Sequence, residues 1–334
     1  MTSPAEPFDR PLDGLLLVDK PSGLTSHDVV ERVRRLAGTR RVGHAGTLDM
    51  MAEGLLLVLI GPATRISQFL IGLPKEYAGR MTLGAVSSTY DAEGKIMAQP
   101  HGAPLPSEAD PIREAMRAQI GWRVQLPPPF SAVKVRGRKL YEYARAGEEA
   151  PPKPRRVLIE RFELVDYHPP LVSFRARVGS GTYIRSMVHD LGAQLGCGAF
   201  LSALRRERVG GFSREAAAPL DQLSREPSLV RDRLLTVADA LAHLPKITVG
   251  PELEPAILHG RAFTRRQILA CETLPGPGET FLVLNAEGRA LAIVRSSGAP
   301  EPTAPGEATE AISASHTKTA IEGEVVFRPA RVLG

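Results

Sequence analysis

Apolar and polar positions along this chain follow two spacings. Short apolar runs bounded by glycine, proline or charged residues are typical of strands, and apolar residues three or four positions apart are typical of amphipathic helices. The pattern predicts strands at Gly14–Lys20, Leu55–Ile60, Tyr77–Leu83 and Val172–Val178. It predicts helices from Thr25 or Ser26 to Gly38, and at Pro62–Leu70, Pro111–Ile120 and Thr182–Leu195. Because these elements mix without regular alternation, the predicted fold class is α+β.

The same pattern predicts two domains. Residues 1–12 are expected to be a flexible N-terminus, and a large domain is expected over residues 13–232, ending in the polar stretch 223–233. A small β-rich domain over residues 233–334 follows, with short strands at Phe281–Leu284, Ala290–Val294 and Glu324–Phe327. Within it, residues 296–321 have few large apolar side chains, so this insert is expected to be disordered.

Composition narrows the class of protein. With 334 residues and 43% hydrophobic content, the chain can bury a sizeable core. Its longest apolar run, Leu55–Ile60, is far shorter than the ~20 residues that a membrane span needs, and residues 1–10 lack the apolar region of a signal peptide. We therefore expect a cytoplasmic protein without a membrane partner. Only two cysteines occur, too few for a disulfide framework.

Positive charge is concentrated in one segment. The net charge is +5, and between residues 131 and 161 nine basic side chains face four acidic ones. Such a run is either a solvated surface or a surface that binds nucleic acid. Phe130, Tyr141 and Tyr143 interleave with the charges, as in surfaces that follow phosphates and stack on bases, which favours RNA. The basic residues singled out for binding are Lys134, Arg136 and Lys139.

The candidate chemistry lies in residues 43–54, here named the Asp49 loop. It reads Gly-His-Ala-Gly-Thr-Leu-Asp-Met-Met-Ala-Glu-Gly and places one carboxylate, Asp49, before the apolar strand Leu55–Ile60. A carboxylate held there can act as nucleophile, base or ligand. An aspartate in such a context is also a common turn former or helix cap, so the loop alone leaves both interpretations open.

Four further segments accompany the loop, in the order Lys20–Ser26, Lys75–Tyr77, Pro129–Lys134 and Gly181–Arg185. Together the five segments, spread over residues 14–210, resemble the TruB family of RNA pseudouridine synthases. The resemblance implies the pseudouridine synthase fold, with a mixed, mainly antiparallel sheet, and a catalytic domain over residues 13–232. Residues 257–261 resemble the start of a PUA domain, so a PUA-like RNA-binding domain is expected over residues 233–334.

The resemblance also implies roles for individual residues. Asp49 falls on the family's nucleophile, Arg185 on the arginine that orients it, and Tyr77 on the tyrosine that stacks on the flipped uracil and takes the C5 proton. The implied substrate-binding positions are Lys20, His44, Asp91 and Leu204. The implied reaction isomerises uridine 55 in the T loop of tRNA. It needs no cofactor and no metal, and neither kind of motif occurs in the sequence.

The implied partner is the T-arm of tRNA, bound by a monomer without an obligatory protein partner. The basic segment over about residues 127–156 matches the stand-alone type of enzyme, and the alternative enzyme is a subunit of a guide-RNA particle of the dyskerin type. A different class is an RNA-binding folding factor whose chemistry has decayed. Its best support is Met50, which stands where the family commonly has a proline and is expected to loosen the loop slightly.

Overall fold

The computed structural model of the chain describes residues 11–99, 102–131, 133–146, 148, 153–273, 276, 278–297 and 326–333. Most of the predicted flexible N-terminus, and the predicted insert from residue 298 onward, lie outside the described residues. Among the described helices, none combines the length and the apolar character that crossing a membrane requires.

The helices are short and scattered along the chain. They are α1 (Ser26–Ala37), α2 (Ser67–Ile71), α3 (Asp110–Ala118), α4 (Leu140–Arg145), α5 (Ile184–Leu195), α6 (Leu220–Arg225), α7 (Leu229–Asp232), α8 (Val237–Ala240) and α9 (Glu254–Leu258). Single 3₁₀ turns occur at Gly61–Ile66, Arg214–Ala216 and Arg265–Gln267.

Strands supply the body of the fold. Up to the end of the basic segment they are β1 (Gly14–Lys20), β2 (Val42–His44), β3 (Glu53–Ile60), β4 (Lys75–Leu83), β5 (Ala85–Ser87), β6 (Ile96–Ala98), β7 (Gly121–Gln125), β8 (Lys134–Val135) and β9 (Arg138–Lys139). The later strands are β10 (Arg155–His168), β11 (Leu171–Val178), β12 (Ala199–Val209), β13 (Phe212–Ser213), β14 (Ala218–Pro219), β15 (Lys246–Val249), β16 (Phe263–Thr264), β17 (Ile268–Cys271), β18 (Thr280–Leu284), β19 (Ala290–Ser297) and β20 (Val326–Val332).

The chain divides into two compact units, one made mainly of Leu16–Leu234 and the other of Leu235–Gly334 with Asp13–Leu15. In the first unit, ten of the described strands form a sheet with the order β14-β1-β3-β12-β4-β11-β10-β7, to which β2 and β13 add at β3 and β12. The pairings of β12 with β3 and of β1 with β14 are parallel, whereas those from β12 to β7 are antiparallel. The α+β class and the mixed, mainly antiparallel sheet are confirmed.

Two apolar cores stabilise the first unit. One packs α3 and α5 against β4, β10, β11 and β12, with Phe162 and Phe174 in edge-to-face contact at 5.4 Å between ring centroids. The other packs α1, α6 and α7 against β1 and β3. Burial of apolar side chains contributes about 25 cal/mol for each Å² removed from water, so both cores stabilise the sheet from which the Asp49 loop extends.

The second unit is a six-stranded sheet in the order β16-β20-β19-β18-β15-β17 among the described strands. Its core includes Phe263, Phe281 and Phe327, whose rings contact one another. The small β-rich character agrees with the pattern of the sequence. Its assignment as a PUA-like domain, and the domain limits at residues 232 and 233, stay predictions.

Local signals located the elements well where capping residues mark them. Thr25 caps α1 by accepting a hydrogen bond from the backbone N–H of Asp28, whose carboxylate accepts one from the Thr25 N–H. Gly38 ends the helix in the left-handed conformation, with φ of 64°. Both signals were correctly interpreted from sequence.

Other predictions were wrong in detail. The helix predicted at Pro62–Leu70 is a 3₁₀ turn, Gly61–Ile66, followed by the short helix α2. Pro62 at the start of this stretch has no N–H to donate. The spacing of the apolar side chains along the stretch does not distinguish a 3₁₀ helix from an α-helix. The long strand β10 was missed because its charged positions obscure the alternation, and β7 was missed because it exposes apolar side chains at the sheet edge.

Close packing at Gly54 generates a first prediction. Gly54 has φ of 102°, and a Cβ added there would lie 2.4 Å from the carbonyl oxygen of Arg206 on the neighbouring strand β12. Because backbone cannot move aside as a side chain can, Gly54→Ala should lower the free energy of unfolding by at least about 2 kcal/mol. Urea denaturation followed by circular dichroism measures the change.

Gly72→Ala is the matched control. This glycine has no positive φ, and an added Cβ would meet nothing within 4 Å, so its stability should change by less than about 0.5 kcal/mol. Equal stability of the two variants would show that β3 and β12 separate freely at Gly54.

Candidate active site

One cavity in the first unit collects most of the residues singled out from sequence. It measures about 570 Å³, a volume typical of small-molecule sites, and opens between the Asp49 loop and the start of α5. The predicted residues in its lining are Asp49, Tyr77, Arg185, His44 and Leu204. Strands distant in sequence bring them together, since β4 and β12 pair with Tyr77 opposite Arg206 and Leu204 opposite Gly79.

The centre of the site is an ion pair between Asp49 and Arg185. The Arg185 Nη2 donates a hydrogen bond of 3.0 Å to Asp49 Oδ1, and its Nε lies 2.9 Å from Asp49 Oδ2. Two nitrogens of the guanidinium therefore face the two oxygens of the carboxylate, and this paired contact fixes the plane of the carboxylate. The Arg185 side chain is 6% exposed and that of Asp49 is 36% exposed, so the carboxylate is the partner that reaches the cavity.

Arg185 is held from its other side by the segment that contains Asp91. Its Nη1 lies 3.2 Å from Asp91 Oδ2 and donates to the Thr89 carbonyl oxygen at 3.0 Å. Asp91 is 2% exposed and also accepts hydrogen bonds from the Thr89 hydroxyl and the Glu93 N–H. The guanidinium thus lies between two carboxylates, one buried and one open to the cavity. Asp91 does not line the cavity, so the structure links it to the site through Arg185.

Two rings attach this segment to α5. Tyr90 stacks on His189 with ring centroids 3.8 Å apart and an angle of 6° between the planes. Tyr90 has φ of 66°, a conformation that costs a non-glycine residue about 1–3 kcal/mol and persists only where the surrounding contacts hold it. Since Arg185 and His189 lie one turn apart on α5, the stack and the ion pair join the same two segments.

Hydrogen bonds from the segment Lys20–Ser26 hold the Asp49 loop. The Ser26 hydroxyl donates to the Leu48 carbonyl oxygen and accepts from the Leu48 N–H, at 3.0 and 2.8 Å. The Met50 carbonyl oxygen accepts from the Gly23 N–H at 2.9 Å and from Lys20 Nζ at 3.4 Å. These anchors constrain the loop on both sides of Asp49 without the proline that Met50 replaces.

Lys20 acts from behind the loop. Its side chain is completely buried and donates to the carbonyl oxygens of Pro21, Leu24 and Met50, and it does not line the cavity. Burial lowers the pKa of Lys20 to about 8, against the attraction of Asp49, which raises it. The predicted contact with substrate stays a prediction, and the observed contacts are with backbone.

Two cations in the cavity wall were not singled out from sequence. Arg206 is 1% exposed and donates from its guanidinium to the carbonyl oxygens of Gly46, Thr47 and Leu55. Lys75 donates to the Ile71 carbonyl oxygen. Its pKa is lowered to about 8, mainly by burial and to a smaller extent by repulsion from Arg206. Lys75 belongs to the Lys-Glu-Tyr motif and Arg206 follows Leu204 by two positions. Both residues therefore lie within two positions of a residue that the sequence had already indicated, Tyr77 or Leu204.

Aromatic and apolar side chains complete the lining. His44 lies on β2, and burial, with repulsion from Arg206, lowers its pKa, which favours a neutral ring at pH 7. Tyr77 and Leu204 are 9% and 7% exposed and present the apolar part of the wall. Phe130 and Arg155, from either end of the basic segment, also contribute, and the Phe130 carbonyl oxygen accepts from Arg185 at 3.2 Å.

The basic segment forms a small hairpin followed by α4. Strands β8 and β9 pair with Lys134 opposite Lys139, and Arg136 is exposed in the turn between them, with φ of 49°. The side chains of Lys134 and Lys139 lie outside the described residues. Arg136 does not line the cavity, so its predicted contact with RNA is not tested by the geometry of the site. In the described part of the chain, no cluster of three or more His, Cys, Asp or Glu residues is arranged to bind a metal.

Two family models match the chain. The N-terminal domain of TruB family pseudouridylate synthases matches residues 34–184, and the C-terminal domain of tRNA pseudouridylate synthase B matches residues 185–242. These ranges meet between Ile184 and Arg185, in the first turn of α5, and together include the whole cavity wall from His44 to Arg206.

Curated proteins and solved structures agree with the family models. tRNA pseudouridine synthase B of Azoarcus sp. (strain BH72) is 42% identical over 285 residues, which is 85% of this chain and 91% of that protein. The enzyme of the same name from Opitutus terrae is 47% identical over 234 residues, 69% of this chain and 95% of that protein.

Among solved structures, an archaeal box H/ACA sRNP Nop10–Cbf5 complex contains a chain with a TM-score of 0.67 and 26% identity, covering 86% of this chain and 80% of its own length. An H/ACA RNP bound to a substrate RNA containing 2′-deoxyuridine gives the same TM-score and identity, with 85% of this chain covered and 78% of that one.

The chain belongs to the TruB family of pseudouridylate synthases, and its reaction is the isomerisation of uridine to pseudouridine in RNA.

Proposed function

We propose that this enzyme converts uridine 55 in the T loop of tRNA to pseudouridine, with Asp49 as the nucleophile acting on a base turned out of its stack. The observation that carries the proposal is the Asp49–Arg185 pair at the wall of a cavity large enough for a nucleotide. The curated relatives with 42% and 47% identity are named for tRNA, which supports that substrate. A base inside a folded loop must leave its stack to reach such a cavity.

The reaction rearranges bonds without adding or removing atoms. The N1–C1′ bond of the uridine breaks, the base turns, a C5–C1′ bond forms, the C5 proton leaves and N1 gains a proton. Attack by the carboxylate at C1′ and attack at C6 both require an ionised, oriented aspartate. Arg185 supplies that orientation, because two of its nitrogens face the two oxygens of the Asp49 carboxylate.

The remaining lining suits an uncharged base and its backbone. Tyr77 and Leu204 form the apolar wall against which a uracil stacks, and Tyr77 is the proposed acceptor of the C5 proton. A neutral His44 stacks in the space that the extruded base leaves, rather than titrating. Lys75, Arg155 and Arg206 give this side of the cavity a positive potential that favours the phosphates flanking the nucleotide.

The alternative enzyme, a subunit of a guide-RNA particle, has one observation in its favour, which is the 26% identity to chains of H/ACA complexes. The higher identity to tRNA pseudouridine synthase B proteins favours the stand-alone enzyme. Turnover of an unmodified tRNA transcript by the purified chain, without guide RNA or added protein, distinguishes the two. A binding protein without chemistry is disfavoured, because Asp49, Tyr77 and Arg185 line one cavity.

The first functional prediction concerns Asp49. Asp49→Asn and Asp49→Ala should abolish tritium release from uridine-labelled tRNA, while the Kd for tRNA changes by less than about threefold, because the carboxylate acts in the chemical step. Glu53→Gln is the matched control, since this carboxylate lies in the same loop, 3.7 Å from Arg205, and does not line the cavity. Turnover near that of the control in either Asp49 variant would remove Asp49 from the role of nucleophile.

A second prediction tests the orientation of the carboxylate. Arg185→Lys should lower kcat by about 100-fold or more, because an ammonium on a flexible stem cannot face two carboxylate oxygens and the Thr89 carbonyl oxygen at once. Arg177→Lys, on the exposed face of β11 in an ion pair with Glu160, should retain turnover. The measurement is the single-turnover rate at saturating tRNA. A rate for Arg185→Lys equal to that of the control would show that the role of Arg185 is only structural.

A third prediction tests the basic segment independently of the catalytic loop. Replacing Lys134, Arg136 and Lys139 together by alanine should weaken tRNA binding and lower its log–log salt slope by roughly one unit for each lost phosphate contact. Turnover at saturating tRNA should change much less, since phosphate contacts position the substrate. A T-arm hairpin should behave as whole tRNA does.

The matched control is the triple alanine variant of Lys95, Arg113 and Arg117, which are exposed basic residues outside the segment. It removes the same charge from the surface, so a purely general electrostatic effect would appear equally in both triple variants. If the segment variant binds as the control does, with the same salt slope, the segment is a solvated surface.

A further inference from the structure

Two acceptors that hold Arg185 flank a single residue in the sequence. The Thr89 carbonyl oxygen accepts a hydrogen bond of 3.0 Å from Arg185 Nη1, and Asp91 Oδ2 lies 3.2 Å from the same nitrogen. A displacement of residues 89–91, here named the Asp91 turn, therefore moves both acceptors together. The position of this turn relative to α5 decides where the guanidinium lies, and Tyr90 is the residue between the two acceptors.

The side chain of Tyr90 attaches the Asp91 turn to α5. Its ring is nearly parallel to that of His189, with 3.8 Å between the centroids and 6° between the planes. His189 follows Arg185 by four positions on α5, so the two side chains are neighbours on the helix surface. The helix that carries the guanidinium thus also carries the ring that holds the acceptors of the guanidinium.

The backbone of Tyr90 has a strained conformation. Its φ of 66° lies in the left-handed region, which a tyrosine rarely adopts. The Tyr90 N–H donates to the Ser87 carbonyl oxygen at 3.1 Å, and the Tyr90 carbonyl oxygen accepts from the Leu201 N–H on β12 at 3.0 Å. Strain of this kind persists where surrounding contacts impose it, and it clusters at functional sites. The turn is consequently bound to β12 by its backbone and to α5 by its ring.

Both rings suit a contact that depends on stacking. His189 Nδ1 is buried and has no hydrogen-bond partner in the described part of the chain. Burial lowers the pKa of His189, against the attraction of Asp190, and burial raises the pKa of Tyr90. Two neutral rings therefore face each other at pH 7. At this place the imidazole contributes a flat surface rather than a charge.

We propose that the stack of Tyr90 on His189 positions Arg185 for the reaction, by fixing the Asp91 turn to the helix that carries the guanidinium. Tyr90 and His189 are then positioning residues, which act on the Asp49 carboxylate only through Arg185. The competing explanation is that the stack contributes to stability and not to turnover. The proposal rests on the proposed function, because it requires Asp49 to act in the chemical step.

Replacement of Tyr90 by glycine separates the two explanations. Glycine removes the ring and also the strain, because it adopts positive φ freely. Tyr90→Gly should therefore be more stable to urea than Tyr90→Ala, which loses the ring and keeps the strained backbone. Both variants should nevertheless lower the single-turnover rate at saturating tRNA by about tenfold or more, because a small displacement of a catalytic group is costly. The Kd for tRNA should stay within about twofold of the wild type.

Variants that keep both rings provide the rescue. Tyr90→Phe and His189→Phe retain two flat rings, so their rates should stay within about twofold of the wild type. His189→Ala should lower the rate as the Tyr90 variants do, and it carries the test if Tyr90→Gly fails to fold. Tyr167→Ala is the matched control, because it removes a half-buried tyrosine whose ring packs on the core and whose hydroxyl donates to the Pro106 carbonyl oxygen. It should lower stability and leave the rate unchanged.

Dependence on Arg185 is tested by combining variants. In the Arg185→Lys background, Tyr90→Gly should lower the rate by less than about twofold further, because the effects of residues that act through one group are not additive. Losses that multiply overturn the proposal. So do a wild-type rate for Tyr90→Gly or His189→Ala, a rate that follows urea stability across the Tyr90 variants, and phenylalanine variants as slow as Tyr90→Ala.

The two proposals fail in different ways. Normal turnover by Asp49→Asn would refute the role of Asp49 in the proposed function. A wild-type rate for Tyr90→Gly beside an inactive Asp49→Asn would refute only the positioning role of the stack.

Discussion

The contact on which the site depends is the ion pair between Asp49 and the buried guanidinium of Arg185. Burying a cation is costly unless neighbours compensate its charge and satisfy its donors. Here Asp91 and the carbonyl oxygens of Thr89 and Phe130 do so on the sides that face away from Asp49. The guanidinium is thereby held by two other segments, and the Asp49 carboxylate meets a partner whose position is already determined.

Buried cations also organise the backbone around that pair. Arg206 and Lys20 both donate to carbonyl oxygens of the Asp49 loop, Arg206 to those of Gly46 and Thr47 and Lys20 to that of Met50. Carbonyl dipoles satisfy donors but do not neutralise a charge, which is why burial lowers the pKa of Lys20. The loop consequently needs little stiffness of its own, and Met50 can replace a proline whose fixed φ would otherwise limit its freedom.

In the proposed function, recognition of RNA divides between shape and charge. The apolar wall formed by Tyr77 and Leu204, with the one oriented carboxylate of Asp49, would then select one nucleotide. On the same proposal, positive charge from Arg155 in the cavity wall and from the exposed Arg136 outside it would supply affinity that is not specific for sequence and falls with salt.

The sequence by itself determined the elements that local chemistry specifies and the residue types that the reaction needs. The capping box at Thr25, the buried strand ending at Ile60 and the motif that contains Asp49 were all legible, because each depends on neighbours within a few positions. Tertiary structure alone decided that Arg185 lies between Asp49 and Asp91 and that Arg206 holds the loop. Those contacts join segments more than 90 residues apart, and no local spacing encodes which strands pair to bring them together.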